Sequence, residues 1–394
     1  MNPIIKSILD TDLYKLTMQQ AVLEKYPDIN VSYRFTNRGD HRFSAMFVSR
    51  LKDQIQKLSN LKLTDQEYEW LKNLRFISPA YLEYLKNYRF NPNEVRVAII
   101  SSGDRQDDLV LDINGPWHRT ILWEVPLMAL ISELYFTEID TDWDIDDVEY
   151  AKLTLRKDAA IGHSFAEMGT RRRRSYHIQD LVVRSLAMGG NNCFGTSNVL
   201  LAMKYGLKPI GTQAHEWIMG HSAICGLRHA NRYSMDAWGK VYRGDLGIAL
   251  TDTYGTPDFF EHFDMFYAKL FDGVRHDSGC PFKFADQVVQ HYNKLNIDPC
   301  SKSIIFSDGL DPIICGQLNE HCEKLGIKWS FGIGTNLTND KIYFGRSKPL
   351  NMVIKLRTCD GVEVVKLSDD VGKATGEDNA VAVALHTFHG KRIV

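Results

Sequence analysis

Pro209-Ile-Gly-Thr-Gln-Ala-His215-Glu-Trp217 reads as the end of a buried strand running into a loop. A short apolar run (Leu207, Pro209, Ile210) breaks at Gly211-Thr212, and a histidine follows at once. Histidine is the side chain best suited to handle protons or accept a phosphoryl group near neutral pH. The same grammar, an apolar run ending in Gly, Thr, Ser, Asp or Arg, recurs along the chain. It appears at Met168-Gly-Thr-Arg171, Phe194-Gly-Thr-Ser-Asn198, Leu250-Thr-Asp-Thr253, Val274-Arg-His-Asp-Ser-Gly279, Phe306-Ser-Asp-Gly309 and Phe331-Gly-Ile-Gly-Thr-Asn336. Helical patterns fit between several of these, as at Ser197 to Tyr205 with Gly206 behind it and at Phe284 to Leu295. Strands alternating with helices imply an α/β fold with a parallel sheet, either a TIM-like barrel or a doubly wound sheet. The barrel is favoured, with its site at the C-terminal strand ends where the polar residues gather. The short spacing from Gly195 to Gly211 makes that barrel irregular.

Before about Phe165 the rhythm differs. Asp12 is a candidate N-cap for a helix carrying Leu13, Leu16, Ala21 and Val22. Val31 to Phe35 alternates like a strand, Leu51 to Leu74 reads as helical, Glu94 to Ser101 as a strand, and Trp123 to Leu134 as a buried helix. In the tail, apolar alternation around Asp360-Gly361 predicts a hairpin that packs outside the barrel against the N-terminal region. The expected organisation is an N-terminal α+β domain over 1–140, the barrel over 141–345, and a hairpin and tail over 346–394 that joins the N-terminal part.

Composition excludes more than it proposes. The chain has 394 residues, 44% hydrophobic and 24% charged, with a net charge of -2, so neither nucleic acid nor a membrane surface is an expected partner. Its longest apolar run, from Val125 to Phe136, is interrupted by Glu133 and is too short to span a bilayer. Seven scattered cysteines without a CxxC pair, and an N-terminus without a signal-peptide core, fit a cytoplasmic protein with free thiols.

The motifs carry chemistry unequally. His215 and His221 are six apart, whereas a helical zinc pair needs a spacing of four, so His221 reads as an ordinary hydrogen-bonded histidine. Of Arg171 to Arg174, one or two can point inward at a phosphate or carboxylate, and the rest would be solvated. Phe331-Gly-Ile-Gly-Thr335 can cradle a phosphate, but it lacks the third glycine of a dinucleotide fingerprint, and no P-loop exists. Asp252, Asp277 and Asp308 all follow apolar runs. With Arg275 and His215 they suggest a polyanionic, hydroxylated ligand accompanied by magnesium; the same His215, Asp252 and Asp277 would also suit a metal-dependent hydrolase.

These segments together resemble the bacterial and fungal nicotinate phosphoribosyltransferases, and more distantly the nicotinamide phosphoribosyltransferases. The likeness rests on Asp10-Thr-Asp-Leu-Tyr14-Lys-Leu-Thr-Met18, Gly169-Thr-Arg-Arg-Arg-Arg174, Phe194 to Asn198, Gly211 to Trp217, Ala249 to Thr253, Arg275 to Gly279 and Phe331 to Thr335, in the family's order and nearly end to end. It implies an irregular barrel, a homodimer with sites near the interface, and NAD salvage from nicotinate, 5-phosphoribosyl-1-pyrophosphate and ATP with Mg2+. By the resemblance, His215 is a phosphohistidine and Asp252 the carboxylate that holds its tautomer. Tyr14, from the neighbouring subunit, together with Arg171, Thr212 and Arg275 surrounds the pyridine. Asp277 holds ribose hydroxyls, and Asp308, Gly334 and Thr335 surround the 5-phosphate. Cys280 stands where relatives carry an acidic residue, and Gly309 where a relative has Asn.

Overall fold

The computed structural model describes residues 2–102 and 105–389. Its centre is a seven-stranded parallel sheet. The strands are β4 (Phe165–Glu167), β5 (Cys193–Thr196), β6 (Lys208–Pro209), β7 (Ile248–Leu250), β8 (Gly273–His276), β9 (Ser303–Phe306) and β10 (Lys328–Ile333). They lie in the order β6-β5-β4-β10-β9-β8-β7. The first and last of the series pair with each other, so the sheet curls, but β6 and β7 do not join in a ladder. The barrel is therefore open at one seam, bridged by the Thr212 hydroxyl donating to Ile248 O at 3.2 Å.

The strand ends fall where the sequence places them, and the tight Gly195–Gly211 stretch explains the irregularity. It holds a four-residue strand, the seven-residue helix Val199–Tyr205 and a two-residue strand. Asn198 caps that helix by accepting from Leu201 N, and Gly206 ends it in a left-handed conformation (φ 67°).

A second, five-stranded antiparallel sheet has the order β12-β11-β1-β3-β2. It combines β1 (Asn30–Asn37), β2 (Val95–Ser102) and β3 (Arg105–Pro116) with β11 (Met352–Cys359) and β12 (Val362–Glu363) from the tail. The turn at Asp360-Gly361 has φ of 49° and 78°, the left-handed pair that an Asp-Gly hairpin adopts.

Two local expectations need correction. The segment Leu51 to Leu74 is not one helix. It divides into Ala45–Leu58 and Asp65–Lys72, and Thr64 starts the second through a reciprocal capping box with Glu67. Asp12 occupies the N-cap position of the helix Leu13–Lys25 but makes no cap bond; its carboxylate accepts from Ser197 Oγ at 2.7 Å, which ties the helix to the barrel. The run Trp117–Glu138 is long and apolar enough to cross a membrane, yet it is largely buried inside the protein as a core element.

One buried ion cluster joins the two sheets' surroundings. Lys15 is fully buried and pairs with Glu124 at 2.6 Å and with Glu216. Glu216 also accepts from Tyr33 OH at 2.5 Å and Trp117 Nε1 at 2.8 Å. Burial alone would lower the lysine's pKa, but the two carboxylates outweigh it and raise it. Lys15→Met strands two buried carboxylates and is expected to cost about 3–5 kcal/mol in chemical denaturation. Two glycine replacements test the packing with opposite signs. A methyl group at Gly273 would lie 2.0 Å from Ser303 O, whereas one at Gly316, inside the helix Pro312–Leu325, meets nothing within 4 Å. Gly273→Ala should destabilise by about 1–3 kcal/mol through forcing β8 from β9. Gly316→Ala should stabilise by about 0.5–1 kcal/mol.

Candidate active site

The strand ends open on one face, and His215 stands at its centre as the first residue of the helix His215–Cys225. Its ring is buried. Nδ1 lies 3.1 Å from Thr253 Oγ1, and Nε2 lies 2.9 Å from Asp277 Oδ2 and 3.7 Å from Asp252 Oδ1. Glu216, the next residue, is the carboxylate held by Lys15, Tyr33 and Trp117, so the histidine's backbone is fixed from the N-terminal side.

The carboxylates have separate partners. Asp277 Oδ1 accepts from Arg275 Nη2 at 3.1 Å and from Ser307 Oγ at 2.9 Å. Burial pushes its carboxyl up, but Arg275 and the His215 contact hold it well below the usual range. Asp252 Oδ2 accepts from Ser278 Oγ at 2.5 Å and from Lys366 Nζ at 2.9 Å. The same lysine nitrogen lies 2.9 Å from His215 Nε2. Burial, followed by Lys366, lowers the imidazole's pKa to about 4 against the opposing pull of Asp252 and Asp277, so the ring is neutral at pH 7.

Two cavities meet at Arg275. A small one of about 50 Å³ is lined by Tyr14, Arg171, His215, Arg275, Asp277 and Lys355, among others. A larger one of about 650 Å³ reaches into the barrel past Thr212, Met168 and Phe331. Tyr14, Arg171, His215, Arg275 and Asp277 are thus brought together, and Thr212 lies across Arg275 in the larger space. Asp252 stands behind the histidine. Asp308, Gly334 and Thr335 line neither cavity. Asp308 pairs with Lys373 at 3.0 Å, and Gly334 and Thr335 form the turn after β10 beside Met168.

Tyr14 lines the small cavity together with residues of its own chain. Leu13 N donates to Ser197 O at 2.8 Å and Asp12 bridges to Asn198, pinning this segment to its own barrel. Its ring lies 5.8 Å from the Arg171 guanidinium, and its buried hydroxyl has no hydrogen-bond partner among the described residues.

The arginine cluster departs from expectation because two of its members are fully buried. Arg173 forms a bidentate pair with Asp10 at 2.7 and 2.9 Å. Arg174 lies between Phe136 and Phe344, with its guanidinium 3.7 and 3.9 Å from the ring centres, and donates to Asn339 and Ser347. Neither is solvated; each satisfies a buried network. His221 behaves as an ordinary core histidine, with Nδ1 2.7 Å from Trp217 O and Nε2 2.9 Å from Tyr26 OH.

Lys355 and Lys366 escaped the sequence reading because the tail looks like a peripheral hairpin. Asp369 did too: its Cβ packs against Gly279, and its carboxylate accepts from Thr256 N at 2.8 Å and from Thr256 Oγ1 at 2.5 Å. Gly309 adopts φ 62° with open space where a side chain would stand.

His215, Asp252 and Asp277 offer ligand atoms within 4.8 Å of one another. A resident metal nevertheless does not fit. The Lys366 ammonium already occupies the place between His215 and Asp252, and magnesium favours a shell of oxygen ligands. The hydrolase reading, which needs a metal there, loses its basis.

Comparison with known proteins gives one consistent answer. Residues 163–391 match the model of the nicotinate phosphoribosyltransferase (NAPRTase) family, and residues 9–132 match its N-terminal domain. The chain is 51% identical over 399 residues to a nicotinate phosphoribosyltransferase of Methanosarcina acetivorans, covering 97% of each chain. It is 42% identical to a probable nicotinate phosphoribosyltransferase of Schizosaccharomyces pombe, covering 98% of each. Among solved structures, the Porphyromonas gingivalis nicotinate phosphoribosyltransferase superposes with a TM-score of 0.92 at 40% identity, over 98% of this chain and 100% of that one. A putative nicotinate phosphoribosyltransferase from Saccharomyces cerevisiae gives 0.93 at 37% identity, over 99% of both. The chain belongs to the nicotinate phosphoribosyltransferase family.

Proposed function

We propose that the protein joins nicotinate to 5-phosphoribosyl-1-pyrophosphate, giving nicotinate mononucleotide and pyrophosphate, and couples this to ATP hydrolysis through a phosphorylated His215. The observation that carries the coupling is the neutral, buried imidazole at the cavity wall, flanked by carboxylates and a lysine. A neutral ring retains the lone pair that attack on phosphorus requires. Fixed carboxylates then stabilise the positive charge that the phosphorylated ring acquires.

Glycosyl transfer needs little acid–base help. Pyrophosphate leaves C1 of the ribose, the developing positive charge lies near Asp277, and the pyridine nitrogen adds with its own lone pair. Magnesium belongs to this reading as the counter-ion that arrives with the polyphosphate substrates, where it makes pyrophosphate a better leaving group. Arg171, Arg275 and Lys355 bring three cations to the small cavity, which Glu124, Glu216 and Asp277 also line. A guanidinium turned to the ligand favours the carboxylate of nicotinate over the neutral amide of nicotinamide. Tyr14 supplies an aromatic face beside Arg171 for the ring. The homodimer expected of the family, in NAD salvage in the cytoplasm, completes the reading; free thiols at all seven cysteines suit that reducing compartment.

Label from γ-³²P-ATP should appear as an acid-labile, base-stable adduct on the wild type and be absent from His215→Ala. Pyrophosphate release should be stimulated by ATP in the wild type only; equal stimulation of both proteins removes His215 from the coupling. Arg275→Gln should raise KM for nicotinate about tenfold or more and narrow the preference over nicotinamide, read by competing the two at equal concentration. An unchanged preference would take acid recognition away from Arg275.

A further inference from the structure

Lys366 lies outside every strand-end motif, yet its ammonium stands 2.9 Å from His215 Nε2 and 2.9 Å from Asp252 Oδ2. The backbone holds it there. Leu367 N donates to Thr253 O at 2.8 Å, Lys366 and Thr375 exchange bonds of 2.9 and 2.8 Å, and Asp369 N donates to Ser278 Oγ at 3.1 Å. Thr253 is also the residue beside Nδ1, so one short stretch of tail is braced against both sides of the imidazole. A second cation, Lys355 on β11, lines the small cavity beside His215, where Glu124 and Asp277 support its charge. Burial, and then repulsion from Lys366, pushes the Lys355 ammonium down to about 8. The two tail ammonium groups repel each other, and an arriving anion relieves that repulsion.

We propose that Lys366 is a positioning residue for His215, keeping the imidazole uncharged and, together with Lys355, forming a seat for the phosphoryl group the histidine receives. This rests on the reading of His215 as the phosphoryl acceptor. In that step a ring nitrogen lone pair attacks the terminal phosphorus of ATP. The N–P bond forms, the P–O bond to ADP breaks with its electron pair leaving on ADP, and the ring proton remains on the other nitrogen. The ring becomes cationic as the phosphoryl dianion attaches. With the phosphoryl group on Nε2, Lys366 faces the dianion, the proton on Nδ1 is directed at Thr253 Oγ1, and Asp277 gives up its contact with Nε2.

The charged groups bearing on the imidazole are Asp252 after β7, Arg275 and Asp277 at β8, Glu216 on its own helix, Arg171 across the cavity, and the two tail lysines. Glu216 is neutralised by Lys15, and Asp277 is shared with Arg275. Removing Lys366 leaves Asp252 without its cation directly beside the ring. The imidazolium is then favoured, and the acid limb of phosphorylation moves to higher pH.

The test is the rate of labelling from γ-³²P-ATP between about pH 5 and 8, where a free histidine titrates near 6.5. Wild type, Lys366→Met, Lys366→Arg and Lys355→Met are compared, with thermal unfolding of each as the check on folding. The wild-type rate should be level across this range. Lys366→Met should label about tenfold more slowly and lose rate further as pH falls through about 6.5. Lys366→Arg should restore the level profile. Lys355→Met should keep the level profile but raise the ATP concentration needed for half-maximal labelling. Should Lys366→Met not fold, Lys366→Gln serves the same measurement. A folded Lys366→Met or Lys366→Gln with the wild-type rate and profile overturns the role of Lys366 alone. Absence of label on the wild type removes His215 as acceptor and the lysine's role with it.

Discussion

A single buried ammonium underlies the arrangement. Lys15 is held between Glu124 and Glu216, and Glu216 immediately follows the histidine at the centre of the site. An ion cluster of this kind is not a source of large net stability, because desolvating three charges is costly. Its effect is geometric. Helix Leu13–Lys25, the core run around Glu124 and the helix that begins at His215 meet at one nitrogen atom, and none can shift without stranding a charge. Tyr14, one residue before Lys15, and His215, one residue before Glu216, are therefore positioned by the same contact.

The site is assembled from three parts of the chain. The barrel supplies His215, Asp252, Arg275 and Asp277 at its strand ends. The N-terminal segment supplies Tyr14, pinned to the barrel through Asp12, Leu13 and Ser197. The tail supplies Lys355 from a strand paired with β1 and Lys366 from the stretch beyond the hairpin. The carboxylates alone would draw a proton onto the histidine. Burial, and after it the tail lysine, offsets them, and the balance leaves a neutral ring in a strongly charged pocket.

Much of this was legible in the chain. Each barrel strand is a short apolar run closed by glycine or a small polar residue, because strand ends there must turn sharply and face a polar opening. His215 stood out for the same reason. The open seam was not legible, since β6 has only two ladder residues and leaves almost no periodicity to read. Arg173 and Arg174 misled because consecutive cations usually signal solvent, and only the tertiary structure provides Asp10 for one and a pair of aromatic rings for the other. Lys366 was hidden most completely. In Val364-Val365-Lys366-Leu367 it has the spacing of a solvent-facing strand residue, and nothing local reveals that the tail returns to Thr253 and Ser278.

The hairpin at Asp360-Gly361 has a consequence for the order in which the protein comes into being. Domains form as the chain emerges from the ribosome, N-terminal portions first. All seven barrel strands precede the hairpin in the chain, so the histidine and its carboxylates can assemble while Lys366 is still unmade. Such a nascent molecule has the histidine without the cation that stands at its Nε2. The charged surroundings of His215 are thereby complete only in the finished polypeptide.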